Sequence, residues 1–182
     1  MSGAGLPAAR TQVFSGGGRV FLEAERFDRT AQGGRIGMVS LQVYDAEYVG
    51  EMDNWAATAN RMVARGLLTA ADARHLRLLE AYGILIANTD RHYGNISLLL
   101  ADDDWTLSPT YDMLPMLYAP VGGELVARDF AARPLQPSAA TLPEWEQARA
   151  LASTFWQRAA ADARVSGGFR AIAAANLRLI GL

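Results

Sequence analysis

The 182-residue chain contains no cysteine, and its seventeen basic residues are all arginine. Without cysteine there is neither a disulfide framework nor a thiolate metal site, and two histidines, His75 and His92, are too few for a histidine-rich zinc site. Chemistry that needs a lysine must import it, although an arginine bias also fits a GC-rich coding sequence. Long apolar runs are missing too. Nothing approaches the ~20 residues that span a bilayer, and the opening MSGAGLPAAR lacks a basic stretch followed by an apolar one. No membrane association is expected, and the cytoplasm is the expected compartment. The formal charge of −2 and sequence pI near 5.7 leave no general basic footprint for nucleic acid. What remains, 51% hydrophobic and 20% charged residues, is the composition of a folded domain.

From Thr11 to Val43 the pattern is strand-like: TQVF, a turn at Ser15 to Gly18, RVFLEAERF, a break at Gly33-Gly34, then RIGMVSLQV. The glycine triplet lacks the spacing of a phosphate loop and sits where a hairpin turn belongs. Asp53 is placed to cap a helix that ends near Gly66, with Trp55, Ala59, Met62 and Val63 on one face. Thr69 is placed to cap the next helix, whose final AYGILIA is apolar on nearly all sides and must be buried. A helix that runs into the core and stops at Asn88-Thr89-Asp90 delivers polar groups to an interior site, where they need partners or a ligand. ISLLL and WTLS then pair around Asp102 to Asp104, an acidic triplet without the ligand spacing of an EF-hand, which reads as a solvated turn. Thr141 and Pro143 open a long helix, Ser166-Gly167-Gly168 breaks it, and a last helix should turn Ile172, Ala175 and Leu179 inward. The expected fold is mainly α, an α+β arrangement with a small antiparallel β element on its N-terminal side.

The chemistry-bearing string is NTDRHYGN, Asn88 to Asn95, followed later by Tyr111-Asp112. Asp-x4-Asn with a second Asp downstream is the order of polar groups a protein-kinase site requires. One Asp accepts the substrate hydroxyl proton, and an Asn and a second Asp hold magnesium against the ATP phosphates. Oxygen-only ligands suit that hard cation. The strand pair between Asn95 and Asp112 folds the chain back so that both can reach one ion, with Asp90 nearby. Each residue also has a plainer reading: Asn88 and Asp90 as helix caps, His92 as a hydrogen-bonded core histidine, Asn95 as a turn residue, Asp112 as a surface acid.

The longer strings NTDRHYGNISLLL and LSPTYDMLPM resemble the HipA-type serine/threonine kinases of bacterial toxin–antitoxin modules. That family places N-x-D-x-H-x-x-N after a buried helix and P-x-Y-D after a short hairpin. LEAERFDR likewise resembles the family's hinge strand, which ends in E-R-F-D-R, and the matching motifs run over roughly residues 19 to 120. The resemblance implies a kinase-like helical C-terminal lobe over residues 53–182, with residues 1–52 as a β-rich hinge and N-lobe remnant. It implies Asp90 as the catalytic base and His92, Tyr93, Gly94 and Asn95 as the loop lining the nucleotide phosphates. Asn95 and Asp112 become magnesium ligands with Tyr111 beside them. Glu25, Arg26 and Phe27 become the hinge, whose backbone would meet the adenine of ATP.

Members of that family carry, upstream of the hinge, a phosphate-covering loop and a strand lysine. Here only about ten residues precede the first strand, and lysine is absent. The expectation is therefore a fragment with half an active site, inactive by itself, because phosphoryl transfer depends on positioning and charge stabilisation. An antitoxin or an N-lobe-bearing chain is the implied partner, and a protein hydroxyl the implied acceptor. The extension TYDMLPMLYAP looks closest to a HipA-like branch with an additional N-terminal DNA-binding region, so DNA would be reached only indirectly or through a region outside these residues.

A competing reading is a non-catalytic DNA- or partner-binding module. A coherent basic surface from Arg149, Arg158, Arg164, Arg170 and Arg178 would favour it. These arginines share their helices with Glu144, Glu146 and Asp162, so a solvated mixed face is expected. A metal-dependent nuclease would need Asp102 to Asp104 folded into a cleft.

Overall fold

The computed structural model describes residues 6–124 and 126–181. The chain forms two compact units, Met1–Glu51 with His92–Asp112, and Met52–Arg91 with Met113–Leu182. In the first, β1 (Thr11–Gly16) and β2 (Arg19–Ala24) make a two-stranded antiparallel hairpin in which Gly16 faces Arg19. A separate antiparallel sheet has the order β3-β4-β5, from Met38–Ser40, Ser97–Ala101 and Asp104–Leu107.

One expectation fails here. The strand-like run to Val43 ends at Ser40, and Leu41–Tyr48 is a helix, α1. Ser40 caps it, its hydroxyl accepting the Val43 amide at 3.3 Å. Apolar Leu41 and Val43 mimic strand alternation, but the buried positions are Leu41, Tyr44 and Asp45, at the three- and four-residue spacing of a helix, while Val43 is 60% exposed. The Leu41 amide bonds the Ile96 carbonyl at 2.8 Å and ties α1 to the segment entering β4.

The second unit is helical: α2 (Trp55–Ala64), α3 (Ala70–Leu85), α4 (Trp145–Ala161) and α5 (Gly167–Ile180), each packed against the next. The cap of α2 is Asn54, whose side chain accepts the Ala57 amide at 2.9 Å. Asp53 instead accepts the Asn54 amide at 2.7 Å and pairs with Arg61 at 2.8 Å. Trp55, Ala59 and Met62 are fully buried, but Val63 lies outside that face. Thr69 caps α3 as expected, and all of AYGILIA except the half-buried Ile84 is buried.

Trp156 of α4 is the centre of this core. It is fully buried, its indole N–H donates to the Leu85 carbonyl at 3.0 Å, and Tyr118, Phe130, Phe155 and Phe169 surround its ring. Ser166 caps α5 by accepting the Phe169 amide at 3.3 Å, so Gly167 and Gly168 begin the helix. Its inward face is Ala173, Asn176 and Ile180, which corrects the expected Ile172, Ala175 and Leu179. A polar residue hid the true face: Asn176 is buried because its amide donates to the Tyr118 hydroxyl at 2.8 Å. The fold class is the expected α+β, mainly helical with small antiparallel sheets. Among the described residues no helix is long and apolar enough to cross a membrane.

Candidate functional site

The polar loop begins where α3 ends. Asn88 N–H bonds the Gly83 carbonyl at 2.9 Å and Ala87 N–H bonds Ile84 at 3.2 Å, the Schellman closure of a helix C-terminus. That closure puts Ala87 at φ 60°, where glycine is usual. Asn88 is 1% exposed, and its side-chain oxygen accepts the Asp90 amide at 2.9 Å in an Asx turn. Asp90 is half-buried and belongs to the helical unit. A cavity of about 330 Å³ in the same unit is lined by Asn88, Thr89, Arg91, Leu117, Phe130 and Arg133, among others.

The remaining loop residues belong to the first unit. His92 is exposed, and its Nδ1 accepts the Gly94 amide at 3.0 Å, opening a 3-10 turn over Tyr93–Asn95. It is therefore a turn-capping histidine rather than a core one. Gly94 is required by that cap, since a Cβ there would lie 2.8 Å from His92 Cε1. Tyr93 and Asn95 are buried.

After β5 the chain returns through Pro109 to Tyr111, whose hydroxyl donates to the Gly94 carbonyl at 3.0 Å and lies 2.8 Å from Ser97 Oγ. The Phe27 ring lies 5.7 Å from that of Tyr111, tilted by 33°. Tyr111 thus joins Phe27, the 3-10 turn and the Tyr-Asp segment within one unit. Asp112 is exposed, at φ 54°, a left-handed conformation that Asp tolerates better than most residues.

In the segment after β2, the Glu25 amide donates to the Arg10 carbonyl at 2.9 Å, and its exposed carboxylate lies 4.0 Å from the Arg10 guanidinium. Arg26 forms a two-pronged pair with Asp28, at 2.8 and 2.6 Å. That hydrogen bonding holds the Asp28 carboxyl down at about 2 and raises Arg26. Asp28 is buried, accepts from Arg29 as well, and returns the chain through an Ile36 amide bond to its carbonyl at 3.0 Å. Sequence reading missed it, although an aspartate flanked by arginines in ERFDR was a signal.

Structure therefore brings Phe27, Gly94 and Tyr111 together, with Asn95 and Asp112 next in the chain to two of them. Asp90 sits in the other unit, and the Glu25 and Arg26 side chains engage Arg10 and Asp28. Among the described residues no three His, Asp or Glu side chains cluster to hold a metal, and Asp102 and Asp103 form an exposed turn. Of the C-terminal arginines, Arg149 pairs with Glu146 and Arg164 with Asp162, each at 2.6 Å. Glu144 departs from the expected solvated face: it is buried and held by Arg74 and Arg77 of α3, both at 3.2 Å.

A mainly helical α+β domain in which a buried helix delivers N-x-D-x-H-x-x-N ahead of a hairpin and a Tyr-Asp pair has the order of a HipA-type C-terminal domain. The HipA-like C-terminal domain family matches residues 1–175, and the chain belongs to that family. The Escherichia coli (strain K12) protein named Toxin YjjJ is 39% identical over 155 residues, which are 85% of this chain and 35% of that protein. A chain from the Shewanella oneidensis MR-1 complex of HipA, HipB and operator DNA superposes with a TM-score of 0.53 at 17% identity, covering 97% of this chain and 46% of its own. That likeness concerns the fold alone. The chain spans less than half the length of each of these two relatives.

Proposed function

We propose that this chain is the C-terminal part of a HipA-like serine/threonine protein kinase, which transfers the γ-phosphate of ATP to a protein hydroxyl. The observation that carries the proposal is the 3.0 Å hydrogen bond from Tyr111 to the Gly94 carbonyl, since it ties the residue before Asp112 to the residue before Asn95. Two oxygen-bearing side chains on tied segments suit a magnesium ion that keeps some of its waters and borrows phosphate oxygens. When bound, the ion would neutralise charge on the transferring phosphates. Phe27, beside Tyr111, would supply an apolar wall for adenine, and the His92 to Asn95 turn would line the phosphates. Asp90 would accept the hydroxyl proton as that oxygen bonds the γ-phosphorus and the bridging bond to ADP breaks.

In this reading the phosphate-covering loop and its lysine come from the part of a longer protein that this chain does not span, or from a separate partner. The β1–β2 hairpin supports it, because Val13, Phe14, Val20, Phe21 and Leu22 are all exposed and would be covered by an N-lobe-bearing region or an antitoxin. The lobe boundary at residues 52 and 53 is then a division of function, whereas compactness groups His92–Asp112 with the N-terminal residues. DNA would be reached through an antitoxin or a region outside these residues, and a cytoplasmic location belongs to the same proposal.

Radiolabelled phosphotransfer tests it. The isolated chain is expected to transfer too slowly to detect, and a HipA-type N-terminal lobe fused ahead of Thr11 should restore transfer. Asp90→Asn in that fusion should lower the rate by ~10²–10⁴-fold while sparing nucleotide binding. Full activity of the Asp90→Asn fusion would remove Asp90 as the base, and strong transfer by the isolated chain would remove the need for a second lobe.

A further inference from the structure

We infer that Glu80 and Arg91 are positioning residues, which together with Asn88 and Gly83 brace the backbone that carries Asp90. The catalytic consequence rests on the kinase reading above; the brace itself rests on geometry within the helical unit.

Glu80 lies in α3, just before the apolar AYGILIA run, with its side chain 6% exposed. A carboxylate so placed must be fully partnered. Its two oxygens accept from two distant segments: Arg91 Nε donates to one at 3.0 Å, and the backbone amide of Trp55, the first residue of α2, donates to the other at 3.2 Å. Arg91 continues the chain of bonds, since its Nη1 donates to the Asn88 carbonyl. Asn88 in turn accepts the Asp90 amide at 2.9 Å. A fixed helix end is thus linked through Glu80, Arg91 and Asn88 to the residue proposed as the base.

The path has a built passage. A Cβ at Gly83 would lie 2.5 Å from Arg91 Cδ, so the arginine stem crosses α3 where only glycine leaves room. Glycine is a poor helix former, and here its position has a packing reason. Gly83 also supplies the carbonyl that accepts the Asn88 amide. One face of one turn therefore both closes the helix and seats the arginine.

A buried ion pair can instead serve only to hold helices together, and the same unit contains the control. Glu144 is equally buried and paired to Arg74 and Arg77, which both lie in α3 and not in the loop.

Residue-resolved amide exchange on the 182-residue chain, read beside thermal melting, separates the two roles. Arg91→Ala, Glu80→Gln and Gly83→Ala are each expected to speed exchange at the Asp90 amide by ~10-fold, the weight of a lost hydrogen bond on local opening. Glu144→Gln should leave that amide at the parent rate even where it lowers the melting temperature as much. Arg91→Lys, which keeps the charge but not the forked geometry, should recover only part of the protection. Should Glu80→Gln fail to fold, Gly83→Ala and Arg91→Lys carry the comparison. Equal Asp90 exchange in Arg91→Ala and Glu144→Gln would overturn the brace.

Phosphotransfer by the N-lobe fusion reads the catalytic half. There Arg91→Ala should lower kcat by ~10- to 100-fold, a positioning loss, with the KM for ATP unchanged. An active parent with unchanged kcat in Arg91→Ala overturns the positioning role and leaves the kinase reading intact. An inactive parent fusion with the exchange changes present overturns the kinase reading and the catalytic half, while the brace stands.

Discussion

The β1–β2 hairpin turns at Gly17 and Gly18 and the β4–β5 hairpin at Asp102 and Asp103, all four with positive φ between 50 and 73°. Both are two-residue connections with the left-handed geometry that matches strand twist. Their surroundings differ. Every residue of β1 and β2 is exposed, whereas β4 buries Ser97 and Leu98 and is flanked on its other edge by β3. The difference separates two causes. Turn chemistry alone selects the hairpin, since both form it. Stability comes from what covers the strands, and a two-stranded hairpin with both faces in water is marginal. The uncovered hairpin has glycine at its left-handed positions, where no steric cost arises, while the packed one accommodates a pair of aspartates.

The largest expected contrast lies in the strands. Leu98→Ala should cost ~2–5 kcal/mol through transfer and cavity terms, whereas Val20→Ala should stay within ~0.5 kcal/mol, as for an exposed site. Denaturant unfolding measures both, and equal costs would end the comparison. At the turns, Gly17→Val places a β-branched side chain at φ 57°. It should destabilise the β1–β2 pairing by ~1–2 kcal/mol, visible as lost cross-strand NMR contacts while the β4–β5 contacts persist. The converse change, Asp103→Gly, should stabilise by up to ~1 kcal/mol by relieving a left-handed non-glycine residue. A melting temperature lowered by Asp103→Gly would show that the aspartate side chain, not the backbone, holds that turn.

The smallest effect concerns the acid that follows β2. Asp28 has a folded pKa of about 2 against an ordinary 3.8, lowered chiefly by hydrogen bonds from Arg26. A depressed folded value means that its contribution is present above the ordinary pKa and is lost as pH falls from about 4 towards 2. Asp28→Asn should remove that part of the acid sensitivity. An NMR titration of the Asp28 carboxyl with a midpoint near 3.8 would show that the Arg26 pair does not hold in solution.

Several features were legible because their information is local. Thr69 as a cap, the buried AYGILIA run and the two hairpin turns follow from short-range spacing, and NTDRHYGN with TYD carried the family through residue identity alone. Other features were not, because more than one local reading satisfied the same residues. Ser40 could continue a strand or cap a helix, and the bond from Leu41 to Ile96 accompanies the helical choice. Asn176 was not among the expected inward positions of the last helix, and its partner is Tyr118, far away in sequence. Composition and motif by themselves therefore determined the fold class, the family and the candidate residues Asp90, Asn95 and Asp112. Tertiary structure alone decided that Tyr111 ties the Asn95 and Asp112 segments, that Arg26 turns to Asp28, and that Glu80 reaches Arg91. A charged or polar group's partner depends on which distant donor packing brings within about 3 Å, and no local spacing encodes that.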